Sequence, residues 1–319
     1  MIISVVIPTK NSNATIDKCL SSLMPYYRGG YINEIVVVDG HSTDGTLEVI
    51  SGYPVNVFFE ETKGYIGLAY DTGWRNSKGE VIIFLDSDVE IGEKFFPKIY
   101  ELLSSDMGWI SCSAKVGVTN KLSKAQQEEA TLTGKSGSFS PSWFQYLYNK
   151  IASSGLGKLP FSGECVVVRR VCLEAVDGYR SLPLAISRIG GENLVSLKIV
   201  QQGWKAIQWA DAPVYHYPRT TFMGSLKQQY NFGFWMVLSQ KEKEYLESCR
   251  WYHKIANILA RLASPVIGLI LAVRFRNPIH IIVYPLPRYA WAWGYIRGWI
   301  ETKKSNQPVY TESGIRPSK

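Results

Sequence analysis

Cysteine and long apolar runs are both scarce in this sequence. Its five cysteines are odd in number and scattered, with no pair at a metal-ligand spacing. This argues against a disulfide scaffold and a zinc site built on paired cysteines, and reduced thiols in a reducing compartment are the simple interpretation. The apolar run over residues 262–273, which is interrupted only by Ser264, has 12 residues, roughly 18 Å as a helix, whereas the hydrocarbon core of a bilayer is roughly 30 Å thick. The first residues also lack the segments of a secretory leader, so we expect the chain to begin in the cytoplasm.

An excess of one charge sign is absent from most of the chain. Residues 1–240 carry 22 basic and 22 acidic side chains, whereas residues 241–304 carry 11 basic and 4 acidic ones, so the net charge of +8 comes almost entirely from the C-terminal part. That part is also rich in tryptophan and tyrosine, which together with arginine are typical of a lipid headgroup interface. We therefore expect a membrane surface, and no nucleic acid, as its partner.

The hydrophobic pattern of the first part of the chain predicts a Rossmann-like, mostly parallel α/β sheet with helices on both faces. Short apolar, β-branched runs predict strands over residues 2–8, 34–39, 55–59 and 81–85, with helical segments between them. Asn11 or Asn13 is placed to cap a first helix over about residues 15–23. A composition of 46% hydrophobic and 19% charged residues is likewise that of a folded protein.

Polar residues follow three of these strands. Thr9 comes after the first strand, Asp39 ends the second, and Asp86-Ser87-Asp88 follows the fourth. Because ligands bind beyond the carboxyl ends of the strands in open α/β sheets, we expect a binding crevice at this edge. Two carboxylates one residue apart can bind a hard cation, whose charge would neutralise a diphosphate leaving group. Taken alone, the pair fits a turn with solvated aspartates equally well.

Four segments occur in an order and at a spacing that resembles the family-2 glycosyltransferases. They are VVIPTKN (residues 5–11), EIVVVDGHSTDGT (34–46), KGE (78–80) and VIIFLDSD (81–88). The resemblance extends over about residues 1–220. It implies the GT-A fold, a nucleotide-sugar donor such as a UDP- or GDP-sugar, and a divalent metal, Mn²⁺ or Mg²⁺.

The resemblance also implies roles for individual residues. Thr9 and Asp39 would contact the nucleoside. Asp88 would bind the metal, and Asp86 would lie close to the ribose or the metal. His216 stands where a histidine completes the metal site in several family members, although a single histidine is more often structural. The donor-binding residues implied in this way are Pro8, Thr9, Asn11, Asp39, Lys63, Gly64, Asp71, Asp86 and Ser87.

The sequence departs from the family pattern before the aspartate pair. The family has Ala-Arg-Asn-x-Gly there, whereas this chain has Ala-Tyr-Asp-Thr-Gly at residues 69–73. The arginine is thus replaced by Tyr70, and Lys63 is the candidate for the missing positive charge.

A second departure concerns the general base. The family has an acidic Glu-Asp pair, and this chain has Glu192-Asn193. The role of removing the proton from an acceptor hydroxyl therefore falls to Glu192, with Asp177 or Glu164 as substitutes. The simpler explanation is an acidic residue that the helix dipole favours at a helix N-terminus.

The C-terminal region predicts membrane-associated helices. Between residues 254 and 273 the polar positions fall on one narrow helical stripe, and the other side chains are apolar; the stripe consists of Asn257, Arg261, Ser264 and Gly268. Residues 279–300 add six tyrosines and tryptophans, together with Arg288 and Arg297. We favour attachment to the cytoplasmic face of the cell membrane. Two spanning helices, a packed helical subdomain and an oligomer interface are the alternatives.

We therefore expect four parts in the chain. Residues 1–110 form the nucleotide-sugar-binding half of a GT-A domain, 111–235 its acceptor-binding half, 236–305 the membrane-associated helices, and 306–319 a tail. The expected function is metal-dependent, inverting transfer of a sugar from a nucleotide sugar to a polyprenyl- or dolichyl-phosphate-type lipid-linked acceptor.

Three other functions stay open at this stage. The first is a glycosyltransferase with a soluble acceptor, whose C-terminal region mediates oligomerisation. The second is a non-catalytic sugar-nucleotide-binding protein. The third is a nucleotidyltransferase, although that class needs a Gly-rich phosphate loop that we do not find.

Overall fold

The first four strands form where the sequence predicts them. The computed structural model describes residues 1–133, 164–182, 184–188, 190–217, 221–239, 261–304, 310–311 and 314–315. The first four strands are β1 (Ile3–Thr9), β2 (Glu34–Asp39), β3 (Asn56–Phe59) and β4 (Val81–Leu85). All of β1 and β4 is buried, because a parallel strand covered by helices on both faces has no solvent side.

Six further strands complete two sheets. They are β5 (Val89–Ile91), β6 (Met107–Cys112), β7 (Lys115–Val116), β8 (Cys165–Arg169), β9 (Lys205–Trp209) and β10 (Val214–His216). The large sheet has the order β3-β2-β1-β4-β8-β6-β9. Only β8 runs antiparallel to its neighbours, so the predicted mostly parallel sheet is confirmed with one reversed strand. The small sheet has the order β5-β10-β7, and the short strands β11 (Tyr310–Thr311) and β12 (Gly314–Ile315) pair near the C-terminus.

Helices pack on both faces of the large sheet. The described helices are α1 (Ile16–Arg28), α2 (Thr46–Ile50), α3 (Ile66–Arg75), α4 (Phe95–Leu102), α5 (Lys121–Thr133), α6 (Arg170–Val176), α7 (Leu184–Ser187), α8 (Glu192–Gln201), α9 (Phe222–Ser239), α10 (Ser264–Phe275), α11 (His280–Val283) and α12 (Pro285–Lys304). One apolar cluster joins Val5 to α1 and α4, and the other joins Val6 to α3, α6 and α8. Successive residues of β1 therefore serve opposite cores, as the period of two in a strand requires.

The start and the length of α1 differ from the sequence-based expectation. Neither Asn11 nor Asn13 caps the helix: Thr15 precedes it without a side-chain cap. The Asn11 amide oxygen instead accepts a hydrogen bond from Thr43 N–H at 2.8 Å, because the chain turns through a left-handed conformation at Asn11 (φ 51°). The helix also continues through Pro25 to Arg28, five residues beyond the expected end.

Glycine 73 allows α3 to lie directly on β1. A Cβ atom at this position would stand 2.2 Å from a methyl carbon of Val6, which no side chain could tolerate without a backbone shift. The close packing fixes α3 against the sheet and places Tyr70 beside the carboxyl end of β4. The glycine of the run at residues 69–73 is therefore a requirement of packing.

A helical layer follows the α/β part of the chain. In it, α9 and α12 approach at glycines: a Cβ on Gly233 would stand 2.0 Å from the carbonyl oxygen of Trp291, and one on Gly294 would stand 2.0 Å from that of Tyr230. The layer is joined to α5 by a 2.7 Å contact between His280 and Glu128 and by a second ionic contact, Arg288 with Glu129. Arg288 therefore pairs with α5, although the sequence placed it at a lipid interface.

The polar stripe predicted before residue 273 turns inward. Ser264 and Gly268 are buried in α10, whereas Val266, Leu269 and Val273 are 62%, 55% and 73% exposed. Residues 240–260, where the predicted helix begins, and most of the predicted tail lie outside the described residues. Among the helices that the structure describes, none combines the length and the apolar character needed to cross a bilayer.

Candidate active site

Thr9 and Asp39 stand side by side at the ends of β1 and β2. The parallel register of the two strands pairs them directly, as it pairs Pro8 with Val38. The Asp39 carboxylate is buried and accepts hydrogen bonds from Ser42, at 2.8 Å from the backbone N–H and 2.6 Å from the hydroxyl. The buried Thr9 hydroxyl has no hydrogen-bond partner among the described residues. The two residues predicted to contact the nucleoside, Thr9 and Asp39, are thus neighbours, and the Thr9 hydroxyl is available for a hydrogen bond to a ligand.

Short polar contacts join the loops that follow three strands. The loop after β1 is tied to the loop after β2 through Asn11, whose backbone N–H also donates to the Ser42 hydroxyl at 2.8 Å. It is tied to the loop after β4 by a 2.8 Å hydrogen bond between the hydroxyls of Ser12 and Ser87. The carboxyl edge of the sheet therefore has one continuous polar rim, as the strand-end argument predicts.

Tyr70 contacts the first aspartate of the pair. Its buried hydroxyl donates a 2.6 Å hydrogen bond to Oδ1 of Asp86. Burial and the neighbouring Asp88 carboxylate raise the pKa of Asp86 well above its ordinary value, and the Tyr70 hydroxyl opposes that rise. The sequence alone shows Tyr70 only as the replacement of an arginine, and it does not predict the contact with Asp86.

The second aspartate lies against His216. Antiparallel pairing places His216 on β10 opposite Val89 on β5, the residue next to Asp88. The imidazole Nε2 lies 3.3 Å from Asp88 Oδ2, and Tyr217 N–H donates to the Asp88 carbonyl at 2.8 Å. Burial disfavours the imidazolium, but the hydrogen bond to Asp88 and the charges of Asp88 and Glu164 outweigh it and raise the pKa of His216 to about 9. The cluster therefore attracts positive charge.

Glu164 is the fourth member of the cluster. Because β8 runs antiparallel beside β4, Cys165 pairs with Leu85, and the Glu164 carbonyl accepts a hydrogen bond from Asp86 N–H at 3.0 Å. Its carboxylate oxygen Oε1 lies 3.9 Å from Nδ1 of His216. Sequence reasoning named Glu164 only as a substitute base.

Asp88 and His216 fit two positions around a divalent cation. Two ligands at about 2.1 Å in adjacent octahedral positions stand roughly 3 Å apart, close to the 3.3 Å that separates these atoms. One carboxylate and one imidazole are a donor set that suits Mn²⁺ as well as Mg²⁺. Within the described part of the chain, no three or more His, Cys, Asp and Glu side chains are grouped so as to hold a metal by themselves. A metal at this position would therefore take its remaining ligands from water or from a bound substrate.

Glu192 begins α8, directly after two glycines with positive φ angles. These glycines, Gly190 and Gly191, have φ angles of 108° and 94°. A Cβ on Gly190 would lie 2.5 Å from both Glu192 carboxylate oxygens, so the side chain folds back over this glycine. Burial, together with the charge of Glu164, raises the pKa of Glu192 to about 7. The group is thus suited to accept a proton near neutral pH.

The Asp71 carboxylate lies in a separate, internal network. Its oxygens contact Trp74 Nε1 at 2.7 Å, Tyr179 N–H at 2.8 Å, Arg75 Nε at 3.1 Å and Arg180 Nε at 3.3 Å. These contacts fasten α3 to the segment that follows α6. The predicted donor-binding role of Asp71 stays a prediction, and its contacts give it a structural role.

The other sequence candidates lie at the edges of the site. Asp177 is exposed and accepts a 2.6 Å bond from Arg75. Lys63 is exposed, and Gly64, on the loop between β3 and α3, donates its N–H to Glu60 at 2.9 Å. Their predicted roles are not tested by these contacts.

Acidic side chains gathered at the carboxyl edge of a mostly parallel sheet define an α/β protein with a ligand crevice at its strand ends. Residues 4–174 match the family described as Glycosyl transferase family 2. The match covers more than half of the chain, which therefore belongs to this family. Its fold is of the GT-A type.

Relatives of known name align with part of the chain. It is 32% identical over 127 residues to a poly(ribitol-phosphate) beta-glucosyltransferase of Bacillus spizizenii, covering 38% of this chain and 20% of that protein. It is 31% identical over 110 residues to a dolichol-phosphate mannosyltransferase of Pyrococcus furiosus, covering 33% of this chain and 31% of that protein. The aligned part thus spans about a fifth to a third of these relatives.

A solved structure shows the same fold over nearly the whole chain. The mannosyltransferase of Pyrobaculum calidifontis, in complex with GDP-mannose and Mn²⁺, superposes with a TM-score of 0.54 at 16% identity. The alignment covers 96% of this chain and 88% of the other. At this identity the likeness establishes the fold alone.

Proposed function

We propose that this chain is a metal-dependent, inverting glycosyltransferase that moves a sugar from a nucleotide-sugar donor to a lipid-linked acceptor. The observation that carries the proposal is the convergence of Asp86, Asp88, His216 and Glu192 on the strand edge where Thr9 and Asp39 meet. Membership of the family and the nucleotide sugar in the related mannosyltransferase structure support the donor class.

Each residue has a chemical task in this proposal. Asp39 and Thr9 bind the nucleoside, because a fixed carboxylate accepts hydrogen bonds from hydroxyl or amide groups. Asp88 and His216 would hold a divalent metal, and Asp86 is held by Tyr70 beside them. A cation bound there would supply the positive charge that neutralises a diphosphate leaving group.

Glu192 acts as the base. The acceptor hydroxyl oxygen forms a bond to the anomeric carbon while the bond from that carbon to the diphosphate oxygen breaks. The hydroxyl proton passes to the Glu192 carboxylate, and the nucleoside diphosphate departs with the electron pair. Attack opposite to the leaving group inverts the anomeric centre.

The proposed base restricts the class of acceptor that the reaction can use. A phosphate monoester is already ionised near neutral pH and needs no base, whereas a sugar hydroxyl does. The pKa of Glu192, raised to about 7, suits the second case. We therefore favour a hydroxyl of a glycan carried on a polyprenyl- or dolichyl-type phosphate over the lipid phosphate itself.

The outward apolar face of the C-terminal helices supports a membrane location. The large side chains on one side of α10 are exposed while its polar stripe is buried, and α12 exposes Trp293, Ile296 and Trp299. This reverses the polarity of a helix in water, and large exposed apolar patches mark interaction sites. Arg274 and Arg276 are exposed at the end of α10, where anionic headgroups would attract them by about 1 kcal/mol each.

Vesicle binding tests the membrane assignment. Replacement of Val266, Leu269 and Val273 together by serine should reduce sedimentation with anionic vesicles at least about tenfold, because each side chain loses apolar burial. The control changes three exposed valines elsewhere to serine, Val118, Val171 and Val200, and should bind as the wild type does. Equal binding by all three proteins would remove the membrane from the proposal. A concentration-dependent dimer that the first triple variant loses would instead favour a soluble acceptor and an oligomer interface.

Donor binding tests the catalytic half separately. Calorimetry with UDP and GDP in Mn²⁺ buffer should show binding to one of them that chelation weakens. Retained affinity in excess chelator would contradict the metal site, and no affinity for either nucleotide would contradict the donor class.

A further inference from the structure

Arg188 is held between two aromatic rings beside the donor side of the site. Its guanidinium carbon lies 4.2 Å from the ring centroid of Tyr65 and 4.7 Å from that of Trp235. The Nη1 group donates a long, 3.3 Å hydrogen bond to the carbonyl of Gly64. Stacking on aromatic faces leaves the edge of the guanidinium plane, where its N–H groups point, for other partners.

No carboxylate neutralises this cation among the described residues, since none lies within ion-pairing distance of Arg188. Its Nε is buried and has no hydrogen-bond acceptor there. The hydroxyls of Tyr65 and Ser187, which are 1% and 0% exposed as residues, also have no partner in the described part of the chain. Buried donors normally have acceptors, so a positive charge and unused donors together indicate an anionic ligand.

Arg188 lies at the same edge of the large sheet as the candidate active site. Gly64 lies on the loop from the carboxyl end of β3 to α3, and β3 runs parallel to β2, which ends at Asp39. The segment of Arg188 also packs on the first turn of α3, because a Cβ on Gly67 would lie 2.8 Å from the carbonyl of Gly190. Glu192 follows four residues after Arg188. The cation therefore lies on the same edge as the proposed base.

Charge balance gives this cation a task. The cluster already holds the carboxylates of Asp86, Asp88, Glu164 and Glu192. These carboxylates would repel a phosphorylated substrate that enters the cluster. A fixed cation, in addition to a metal, would therefore make binding of that substrate more favourable. Lys63, the candidate from the sequence, is exposed, whereas Arg188 is already oriented by its aromatic neighbours and loses less freedom on binding.

We propose that Arg188 binds a phosphate group of a substrate, with the Tyr65 and Ser187 hydroxyls available as additional donors. The proposal rests on the proposed glycosyl transfer and adds one specific contact to it. Phosphate is present in two substrates, as the diphosphate of the donor and as the phosphate of a lipid-linked acceptor. Separate measurements on each assign the source.

The test compares Arg188→Gln and Arg188→Lys with Arg28→Gln. Arg28 is exposed in the last turn of α1, at the opposite edge of the sheet, and is the matched control. Calorimetry in Mg²⁺ buffer uses pyrophosphate, UDP, UMP and uridine, with the guanine series in parallel. The Michaelis constant for a lipid-linked acceptor, in an extract from membranes, is the second measurement.

A donor contact predicts that Arg188→Gln weakens diphosphate binding about tenfold to a hundredfold, as expected for a charged hydrogen bond. Nucleoside binding should stay within a few-fold, Arg188→Lys should recover part of the loss, and Arg28→Gln should behave as wild type. An acceptor contact predicts unchanged donor binding and a similar rise in the acceptor Michaelis constant. Either result supports the anion site and names its ligand.

Other results overturn the inference. A uniform loss across uridine, UMP and UDP, with a lower melting temperature, would show that Arg188 only holds the Gly64 loop to α9. Unchanged binding and unchanged acceptor constant would remove its role altogether. Pyrophosphate separates this inference from the proposed function: if wild type binds pyrophosphate through Arg188 but no nucleotide, the anion site stands and the transferase proposal fails. If the wild type binds neither, both fail.

Discussion

The Tyr70 hydroxyl donates a 2.6 Å hydrogen bond to Oδ1 of Asp86. At this position the family pattern has an arginine, whose charge would neutralise a nearby anion. Tyrosine supplies a neutral donor in place of that charge, and its hydrogen bond holds the Asp86 side chain in one orientation. The substitution therefore changes the electrostatics of the site without leaving the carboxylate unpaired.

Tyr70→Phe should lower turnover about tenfold, since removal of a hydrogen bond to a charged group costs about 1.5–3 kcal/mol. The pKa of Asp86 should rise further, because the hydroxyl holds it down, and activity should need a higher pH. The control is Tyr179→Phe: this neighbouring ring, with its centroid 5.3 Å from that of Tyr70, has a hydroxyl without a partner among the described residues. A Tyr70→Phe enzyme with wild-type kcat and pH profile would contradict the account.

Asp88→Asn should lower transfer at least about a hundredfold, because it replaces a charged metal ligand by a neutral one. The melting temperature should change little, since the side chain stands at a strand end. Asp106→Asn is the control, an exposed aspartate paired with Lys205 at the opposite edge of the sheet. In a titration with Mn²⁺, Asp88→Asn should need a higher Mn²⁺ concentration for half-maximal activity than wild type, whereas Asp106→Asn should not. Equal Mn²⁺ dependence of the two variants would place the metal elsewhere.

The pH profile tests the base. With its pKa raised to about 7, Glu192 accepts a proton only when ionised, so kcat/KM should rise with pH and level off above about 7. Glu192→Gln should lower kcat on the order of 10²–10⁴-fold and remove this rise. Asp177→Asn, at an exposed site paired with Arg75, should keep both kcat and the profile. If Glu192→Gln stays within a few-fold of wild type, Glu164 is the next residue to change.

The packing of the helical layer gives a stability prediction. Gly294→Ala places a methyl group where the Tyr230 carbonyl oxygen is 2.0 Å away, so α9 and α12 must separate. We expect a loss of about 1–3 kcal/mol in the free energy of unfolding, measured by denaturant titration. Gly52→Ala, where the nearest atom is 3.5 Å from the new Cβ, should be close to neutral. Equal stability of the two variants would show that the helices are not held at this distance.

Local signals in the sequence account for the first half of the fold. The apolar runs that became β1, β2 and β4 are short, bounded and β-branched, and Thr9, Asp39, Asp86 and Asp88 follow from their strand ends. Local patterns do not predict contacts between segments that are distant in the sequence. The residues around Glu164 do not indicate that β8 inserts between β4 and β6, and this pairing brings Glu164 to Asp86.

The remaining differences also have physical causes. His216 reaches Asp88 only because β10 pairs with β5 in a separate small sheet. The spacing of Ser264 and Gly268 predicts a polar stripe on α10, but periodicity shows only that a helix has two faces and not which of them points outward. Arg188 carries no motif, and its aromatic neighbours come from α9 and from the loop before α3, distant in the sequence.

The most direct measurement of the central claim is product formation from a panel of radiolabelled nucleotide sugars with membrane lipids as acceptors. Wild type in Mn²⁺ should transfer label from one donor into the lipid fraction, with inversion at the anomeric carbon. Glu192→Gln should bind the same donor with little change and transfer almost none of it. No labelled lipid from any donor, or equal transfer by Glu192→Gln, would contradict the account.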